Sequence, residues 1–200
     1  MLASSRIYEG SRRLIGAESE MRNLMQRVVK PVDMMRILDF GCGNGRLVPF
    51  VRNAQYVGID NNQSYIDAAT VKYGRTGVSF VCSDLNILSE VPVDPVDVVV
   101  CIGVLHHLDD TTARRALAAS GDLLKIGGRL VTMDPCFDPD QHSIARVLMA
   151  LDRGKFVRHP EGYAHLISER FELNRRELWP DVYRFPYTHF VTESTRLVDK

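Results

Sequence analysis

The sequence lacks the long apolar run and the charge imbalance that mark membrane-spanning and nucleic-acid-binding proteins. No stretch reaches the roughly 18 apolar residues of a transmembrane helix, and the N-terminus carries no signal-peptide pattern. The 25 basic and 25 acidic residues give a formal net charge of zero, which provides no broad attraction to nucleic acid or to an anionic membrane. We therefore expect a cytoplasmic protein with no transmembrane segment that acts on a compact substrate and not on nucleic acid.

The sequence also lacks paired cysteines, internal repeats and flexible linkers. None of the four cysteines (Cys42, Cys82, Cys101 and Cys136) lies in a Cys-x-x-Cys pair, which is typical of reduced, mostly buried thiols in a cytosolic protein. We predict no metal site. With 200 residues and no low-complexity block or Gly/Ser linker, the chain fits one domain.

Short apolar strands alternate with helical patterns through residue 135. The predicted strands are residues 36–40, 55–59, 78–82, 96–102 and 129–133. The predicted helices are residues 18–30, 46–52 (shortened or bent by Pro49), 64–73, and a helix capped by Asp110 or Thr111 that runs to about 124. In the third of these, Ile66, Ala69 and Val71 are the apolar positions. This alternation predicts a parallel sheet with helices on both faces.

The pattern changes after residue 135. Helices are predicted at about 142–153 and 160–170, followed by strands near 171–178 and 185–192. Only a few residues separate those two strands, which is too short for a parallel crossover, so they are expected to form an antiparallel pair at the sheet edge.

Four of the first five predicted strands carry an aspartate within two residues of their carboxyl end: Asp39, Asp60, Asp84 and Asp134. Ligands of open α/β sheets bind beyond the carboxyl ends of the strands, at the point where the strand order reverses. Aspartate is common in turns, which explains any one of these residues. It explains the set less well, because all four would face one edge of the sheet.

A glycine loop, Gly41-Cys-Gly-Asn-Gly45, follows the first strand. Glycines permit positive φ angles and let a ligand approach the backbone closely. Arg46 stands where the dinucleotide-binding fingerprint requires its third glycine, and the Gly-Lys-Ser/Thr of a phosphate-binding Walker loop is absent. The loop therefore predicts a ligand site, but it matches neither the dinucleotide-binding fingerprint nor the Walker loop.

The segment Ile37-Leu-Asp-Phe-Gly-Cys-Gly-Asn-Gly-Arg-Leu47 resembles motif I of the class I S-adenosylmethionine (SAM)-dependent methyltransferases. Residues 56–60, 80–84, 104–108 and 123–130 resemble the later motifs, so the resemblance covers about residues 36–135. It implies an α/β fold with a doubly wound, mostly parallel seven-stranded sheet and an antiparallel C-terminal strand pair.

The resemblance implies SAM as cofactor and assigns roles to particular residues. Gly41 and Gly43 would meet the methionine portion and the ribose, and Asp39 would attract the ammonium through water. Asp60 would accept hydrogen bonds from both ribose hydroxyls. Asp84 would receive the adenine amine, with the Leu85 amide near N1. The complete set implied for the cofactor is Asp39, Gly41, Cys42, Gly43, Asn44, Asp60, Asn61, Asp84, Leu85 and Ile102.

The catalytic residue stays unassigned. His107, Asp134, His142 and His189 are candidates. The Leu-His-His-Leu segment around His106 and His107 occurs in relatives with different substrates, which points to a scaffold role. Methyl transfer depends mainly on alignment and on exclusion of water, and it needs a base only when the acceptor holds a proton of high pKa.

The resemblance implies one methyltransferase domain over residues 1–200. Residues 1–35 would form a helical lid or cap, 36–135 the SAM-binding core, and 136–200 the acceptor-side helices and a β-hairpin. The absence of an Asn/Asp-Pro-Pro-Tyr motif disfavours a nucleic-acid base as acceptor. The acceptor is then a small molecule, a sugar or a glycolipid, and the protein a monomer or homodimer.

Two other functions compete with methyl transfer. One is a SAM- or nucleoside-binding protein that serves regulation or assembly without transfer. The other is a nicotinamide-dependent oxidoreductase, which Arg46 disfavours. The apolar residues 144–151 are expected to pack on the sheet, although an acceptor pocket, a partner or lipid would also suit them.

Overall fold

The computed structural model describes residues 17–83, 93–138, 154–180 and 188–197. Within them, seven strands form one sheet in the order β3-β2-β1-β4-β5-β7-β6. The strands are β1 (Arg36–Phe40), β2 (Gln55–Asp60), β3 (Val78–Cys82), β4 (Val96–Ile102), β5 (Leu124–Pro135), β6 (Phe171–Trp179) and β7 (His189–Arg196). The first five pair in parallel, and β7 pairs antiparallel with both β5 and β6.

Four α-helices are present in the described part of the chain: α1 (Ala17–Leu24), α2 (Gln63–Tyr73), α3 (Asp110–Leu123) and α4 (Pro160–Ser168). A π-helical turn, Met25–Val29, continues α1 and ends at Lys30, whose left-handed backbone precedes Pro31. Helix α2 begins where the Asn62 side chain accepts the amides of Ser64 and Tyr65. No helix in these ranges is long and apolar enough to cross a membrane.

Both faces of the sheet are covered by apolar side chains. On one face Leu38, Val99 and Leu130 belong to a core shared with α3 and α4. On the other, Ile37, Val98 and Val131 share a core with α1 and its π-helical extension. Because central parallel strands are buried on both sides, β4 reads as an almost continuous apolar run. The fold is thus the predicted doubly wound α/β arrangement with an antiparallel strand pair at one edge.

Several local predictions were wrong. Residues 46–52 form no α-helix; a single 3₁₀ turn, Val48–Phe50, contains Pro49 in its first positions. Val71 is 89% exposed, whereas Ile66 and Ala69 are buried as predicted. The cap of α3 is Asp109, whose carboxylate accepts the amide of Thr112.

Two strands also differ from prediction in where they begin. Strand β5 starts at Leu124, five residues early, because Leu124 pairs with Val96 before a bulge. Strand β7 starts at His189, four residues late. The predicted helix at 142–153 and residues 1–16, before α1, lie outside the described residues.

The four cysteines are free thiols. Cys42, Cys101 and Cys136 are buried, and Cys82 is exposed.

Candidate cofactor and acceptor site

The strand order reverses at β1, which lies between β2 and β4. Phe40 pairs with Ile59 on one side and with Cys101 on the other, so the carboxyl ends of all three strands meet at one edge. Strand β5 ends beside β4, since Ile102 pairs with Met133. The predicted residues Asp39, Asp60, Ile102 and Asp134 therefore lie at or near this edge, where an open α/β sheet binds its ligand.

The glycine loop is built against the end of β2. The amides of Gly41 and Cys42 both donate to the Ile59 carbonyl, at 2.8 and 3.0 Å. Gly41 has φ of +75°, and a Cβ there would stand 2.3 Å from Val104 Cγ2. Gly43 has φ of +53°, and a Cβ there would meet nothing within 4 Å. The loop is thus tight against the fold at Gly41 and open at Gly43.

The Asp60 carboxylate is held in place by two backbone amides. Gly43 N–H donates to Oδ2 and Asn62 N–H donates to Oδ1, each at 2.9 Å. A carboxylate has about four acceptor sites, so two remain for other donors. Asp60 is partly exposed, and these remaining sites can receive ligand hydroxyls.

Asp39 lies below the loop and is almost completely buried. The Tyr56 hydroxyl donates to its Oδ2 at 2.5 Å. Burial raises the pKa of Asp39 to about 7, with the charge of Asp60 adding to the rise, while the Tyr56 hydrogen bond and the charge of Arg46 oppose it. Tyr56 reaches Asp39 along the strand pair, where Gly58 stands in register with Asp39 and carries no side chain.

The other predicted cofactor residues surround this loop or lie outside the described residues. Cys42 is buried, and burial raises the pKa of its thiol, so it is a neutral packing residue against Gly58. Asn44 and Ile102 are half-buried, and Asn61 is exposed. Asp84 and Leu85 lie outside the described residues.

A histidine–aspartate pair occupies the end of β4 and β5. Oδ1 of Asp134 lies 2.8 Å from Nδ1 of His106 and also accepts the His106 backbone amide at 3.1 Å. The neighbouring candidate His107 is exposed, with its ring centroid 4.0 Å from that of His106. His189 is buried and lies 3.7 Å from the carboxylate of Glu20 on α1. His142 lies outside the described residues.

Three residues of this region were missed by the sequence analysis: Tyr56, Glu20 and Arg158. Arg158 donates to the carbonyls of Leu105 and Leu108 and to the Asp110 carboxylate, and so holds the segment after β4. Each contact joins residues at least 17 positions apart, so no local spacing could reveal it. Only the strand register would have brought Tyr56 to Asp39.

Comparison with known proteins finds relatives for the part of the chain that contains the glycine loop and Asp60. Residues 37–128 match the family described as a methyltransferase domain. The seven-stranded fold around these residues is that of the class I, Rossmann-like methyltransferases. Residues 37–128 form a methyltransferase domain. The resemblance seen in the motifs is confirmed.

Several curated relatives are ubiquinone biosynthesis O-methyltransferases. The one from Hahella chejuensis is 30% identical over 152 residues, covering 69% of this chain and 63% of the relative. The one from a Bradyrhizobium species is 35% identical over 101 residues, covering 48% of this chain and 38% of the relative. The chain spans about half the length of the curated relatives it matches.

A solved structure has the same fold along nearly the whole chain. A TehB-like SAM-dependent methyltransferase from Corynebacterium glutamicum superposes with a TM-score of 0.71 at 22% identity, covering 98% of this chain and 100% of that one. At this identity the likeness supports the fold alone.

Proposed function

We propose that this chain is a SAM-dependent methyltransferase that transfers a methyl group to a small-molecule, sugar or lipid-linked acceptor. The observation that carries the proposal is the Asp60 carboxylate, held by the Gly43 and Asn62 amides beside an open glycine loop. A carboxylate fixed in this way is suited to receive the two vicinal hydroxyls of a ribose. SAM is the methyl donor of the class I family.

The residues around Asp60 fit the rest of the cofactor. Gly41 and Gly43 offer close backbone approach to the methionine portion, and Ile102 offers its carbonyl to the ammonium. Asn61 follows Asp60 at the adenine, and Cys42 and Asn44 line the loop. Asp39 lies below the loop, where it supplies negative charge only when it is ionised, since its pKa is raised to about 7 and it already accepts the Tyr56 hydroxyl. Asp84 and Leu85 keep their sequence-based assignment to adenine.

The acceptor side is assigned to residues 136–200 and to the end of β5. The relatives named ubiquinone biosynthesis O-methyltransferases support an acceptor that presents a hydroxyl oxygen. In this proposal residues 36–135 form the cofactor core. The helix α1, whose Met21 and Leu24 are buried on the sheet, belongs to the N-terminal cap assigned to residues 1–35.

Calorimetry with S-adenosylhomocysteine tests the cofactor assignment. Asp60→Ala removes two charge-assisted hydrogen bonds and is expected to weaken binding by about 2–4 kcal/mol. Asp67→Ala is the matched control, because Asp67 is an exposed carboxylate on α2 that accepts only the Gln63 side chain among the contacts described. Unchanged affinity in Asp60→Ala would show that the ribose is placed wrongly.

Transfer itself is tested with methyl-labelled SAM. Release of S-adenosylhomocysteine together with a labelled product identifies an enzyme. Tight binding without a labelled product across phenols, sugars and lipid extracts would instead support the regulatory or assembly function.

A further inference from the structure

The buried pair of His106 and Asp134 stands at the acceptor side of the proposed site. His106 lies in a 3₁₀ turn, Leu105–His107, just after β4, and Asp134 is the penultimate residue of β5. Gly103, which connects β4 to this turn, donates its amide to the Met133 carbonyl. The pair is therefore attached directly to the strand ends that carry the proposed cofactor site.

Asp134 presents one oxygen to His106 and buries the other. Asp134 is 1% exposed, and its Oδ1 accepts both the backbone amide and the ring Nδ1 of His106. Its Oδ2 has no hydrogen-bond partner among the described residues. A buried carboxylate oxygen without a donor is costly, so its presence calls for an explanation, and a catalytic role is one.

In the part of the chain that the structure describes, the basic side chain recorded in contact with the Asp134 carboxylate is His106. Burial, with the charge of Asp134 adding to it, raises the pKa of the Cys101 and Cys136 thiols and of the Tyr163 hydroxyl, so these groups stay neutral. The Arg158 guanidinium is committed to the Leu105 and Leu108 carbonyls and to Asp110. The His106 ring is thus the side-chain partner that the Asp134 carboxylate is placed to orient.

The same contact sets the tautomer of the neutral ring. An ionised carboxylate only accepts, so Nδ1 carries the proton and the lone pair is on Nε2. The Nε2 atom has no hydrogen-bond partner among the described residues. The Cε1 edge of the ring faces Gly103, and the Cδ2 edge packs against Gly154, where a Cβ would stand 2.1 Å from Cδ2. Glycine at both positions keeps other side chains away from these two edges of the ring, and the His106 side chain is 7% exposed.

We propose that His106 is the general base of methyl transfer and that Asp134 is its positioning residue, an inference that rests on the proposed function. The acceptor oxygen forms a bond to the methyl carbon as the sulfur–methyl bond breaks, and the sulfur keeps that electron pair. His106 Nε2 takes the acceptor proton and becomes an imidazolium paired with Asp134. The proton then passes to water.

The sequence alone leaves the catalytic residue unassigned. His107 is one of its four candidates, and the pattern of the His-His pair points to a scaffold role. The structure places His107 on the surface and gives His106 the carboxylate partner. A general base is needed for an acceptor hydroxyl that is protonated at neutral pH, which is the acceptor chemistry of the O-methyltransferase relatives.

The ring tautomer tests the pair without any turnover. In protein labelled with ¹⁵N-histidine at alkaline pH, the signal that His106→Asn removes is expected to report a proton on Nδ1 and none on Nε2. A proton on Nε2 would overturn the proposal, because that nitrogen could not then accept one.

Two phenolic acceptors separate a base from a structural role. With catechol, His106→Asn is expected to lower kcat by roughly 10²- to 10⁴-fold, the usual contribution of a general base. With 4-nitrocatechol, whose hydroxyl is ionised near neutral pH, the loss is expected to be less than about threefold, since no proton remains to be removed. Asp134→Asn is expected to show a smaller loss with the same dependence on the acceptor. Equal losses with both acceptors would overturn the proposal.

The controls are other histidines. His165→Asn changes an exposed ring on α4 and is expected to leave both rates unchanged. If His107→Asn, and not His106→Asn, shows the loss confined to catechol, the base is His107 and the proposal is wrong.

Binding of S-adenosylhomocysteine separates this inference from the proposed function. Absent binding in the wild-type protein contradicts the function, while the tautomer still tests the pair. If the protein binds S-adenosylhomocysteine but His106→Asn lowers kcat equally with both phenols, only the assignment of His106 as the base is contradicted. If neither phenol is methylated by protein that binds S-adenosylhomocysteine, the tautomer decides the assignment.

Discussion

Asp39 is held in an environment that disfavours its charge. Burial below the glycine loop removes the carboxylate from water, and the Tyr56 hydroxyl and the nearby Arg46 compensate only in part, so the pKa is raised to about 7. The folded protein therefore holds a proton on Asp39 that the unfolded chain releases near pH 4. A residue suited to attract a cationic ligand thus reduces the stability of the ligand-free protein at neutral pH.

Replacing Asp39 with Asn is expected to change how stability depends on pH. Between pH 3.8 and about 7 the folded state binds more protons at Asp39 than the unfolded state does, so wild-type stability falls as pH rises through this range. Asparagine still offers an oxygen that accepts the Tyr56 hydroxyl. Because its side chain does not titrate, the variant does not lose stability as the pH rises. The stability difference in favour of the variant should grow to the order of 4 kcal/mol above pH 7. Urea unfolding at pH 4, 5.5, 7 and 8 measures it, and a difference independent of pH would contradict the pKa.

Gly41 is expected to be the most sensitive glycine of the loop. In Gly41→Ala the new methyl group meets Val104 Cγ2 at 2.3 Å, and the backbone keeps a φ of +75°. Gly127→Ala is a matched control, because its φ is +76° but a Cβ there meets nothing within 4 Å. The control isolates backbone strain of about 1–2 kcal/mol. Gly41→Ala should cost roughly 1–3 kcal/mol more, as overpacking does, in the same urea titration. Equal costs would mean that Val104 moves aside freely.

Arg158 connects three elements around the proposed base. Its guanidinium binds the carbonyls of Leu105 and Leu108 at 2.8 and 2.7 Å, and it also binds the Asp110 carboxylate at the start of α3. Its backbone lies just before α4, in the stretch that pairs with Cys136 after β5. One side chain therefore supports the turn that carries His106.

Arg158→Met is expected to destabilise the protein locally and overall. The variant keeps the side-chain length but removes the Arg158 donor of the Leu108 carbonyl, at about 1–3 kcal/mol if that carbonyl stays buried, and leaves the Leu105 carbonyl with the Leu108 amide as its donor. Arg114→Met is the control, since the Arg114–Glu169 pair is exposed and such pairs contribute about 0–1 kcal/mol. Hydrogen exchange should accelerate at residues 105–110 in Arg158→Met alone. Unchanged exchange at these residues would show that the turn is stable without the Arg158 contacts.

The elements predicted most accurately from the sequence are the parallel strands that are continuous apolar or nearly apolar runs. Strands β1, β3 and β4 begin and end where they were predicted, because an apolar run bounded by turn residues marks a buried parallel strand. The α-helix predicted at 46–52 is absent, because Pro49 has no backbone amide to continue a helix from Arg46, and a 3₁₀ turn forms there instead. The prediction for Val71 was wrong because it lies five residues after Ile66, about 140° around the helix from it, and so off the face that Ile66 and Ala69 bury.

The candidate site was predictable only in its local part. Asp60 and the glycine loop follow from strand ends and spacing in the chain. The contacts between Asp39 and Tyr56 and between His106 and Asp134 depend on strand register and on the path of the chain between β4 and β5. No pattern within a single segment encodes them.

At the scale of the whole molecule, one sheet edge serves both proposed halves of the site. Strands β1 and β2 carry the loop and carboxylates assigned to the cofactor, while β4 and β5 carry the His106–Asp134 pair assigned to the acceptor. The apolar cores lie on the two faces of the sheet and run under both halves. A ligand that bridges the glycine loop and Asp60 is therefore coupled to the stability of the complete fold.

S-adenosylhomocysteine is accordingly expected to raise the thermal midpoint of the whole chain. At 100 times its Kd, a ligand that binds only the folded state adds about 2.7 kcal/mol. For a domain of this size each kcal/mol corresponds to about 2–4 °C, which predicts a shift of roughly 5–10 °C. His106→Asn should retain the full shift, because the proposed base contacts the acceptor and not the cofactor, whereas Asp60→Ala should lose most of it at the same concentration. A comparable shift with NAD and none with S-adenosylhomocysteine would instead identify a nicotinamide site, in spite of Arg46.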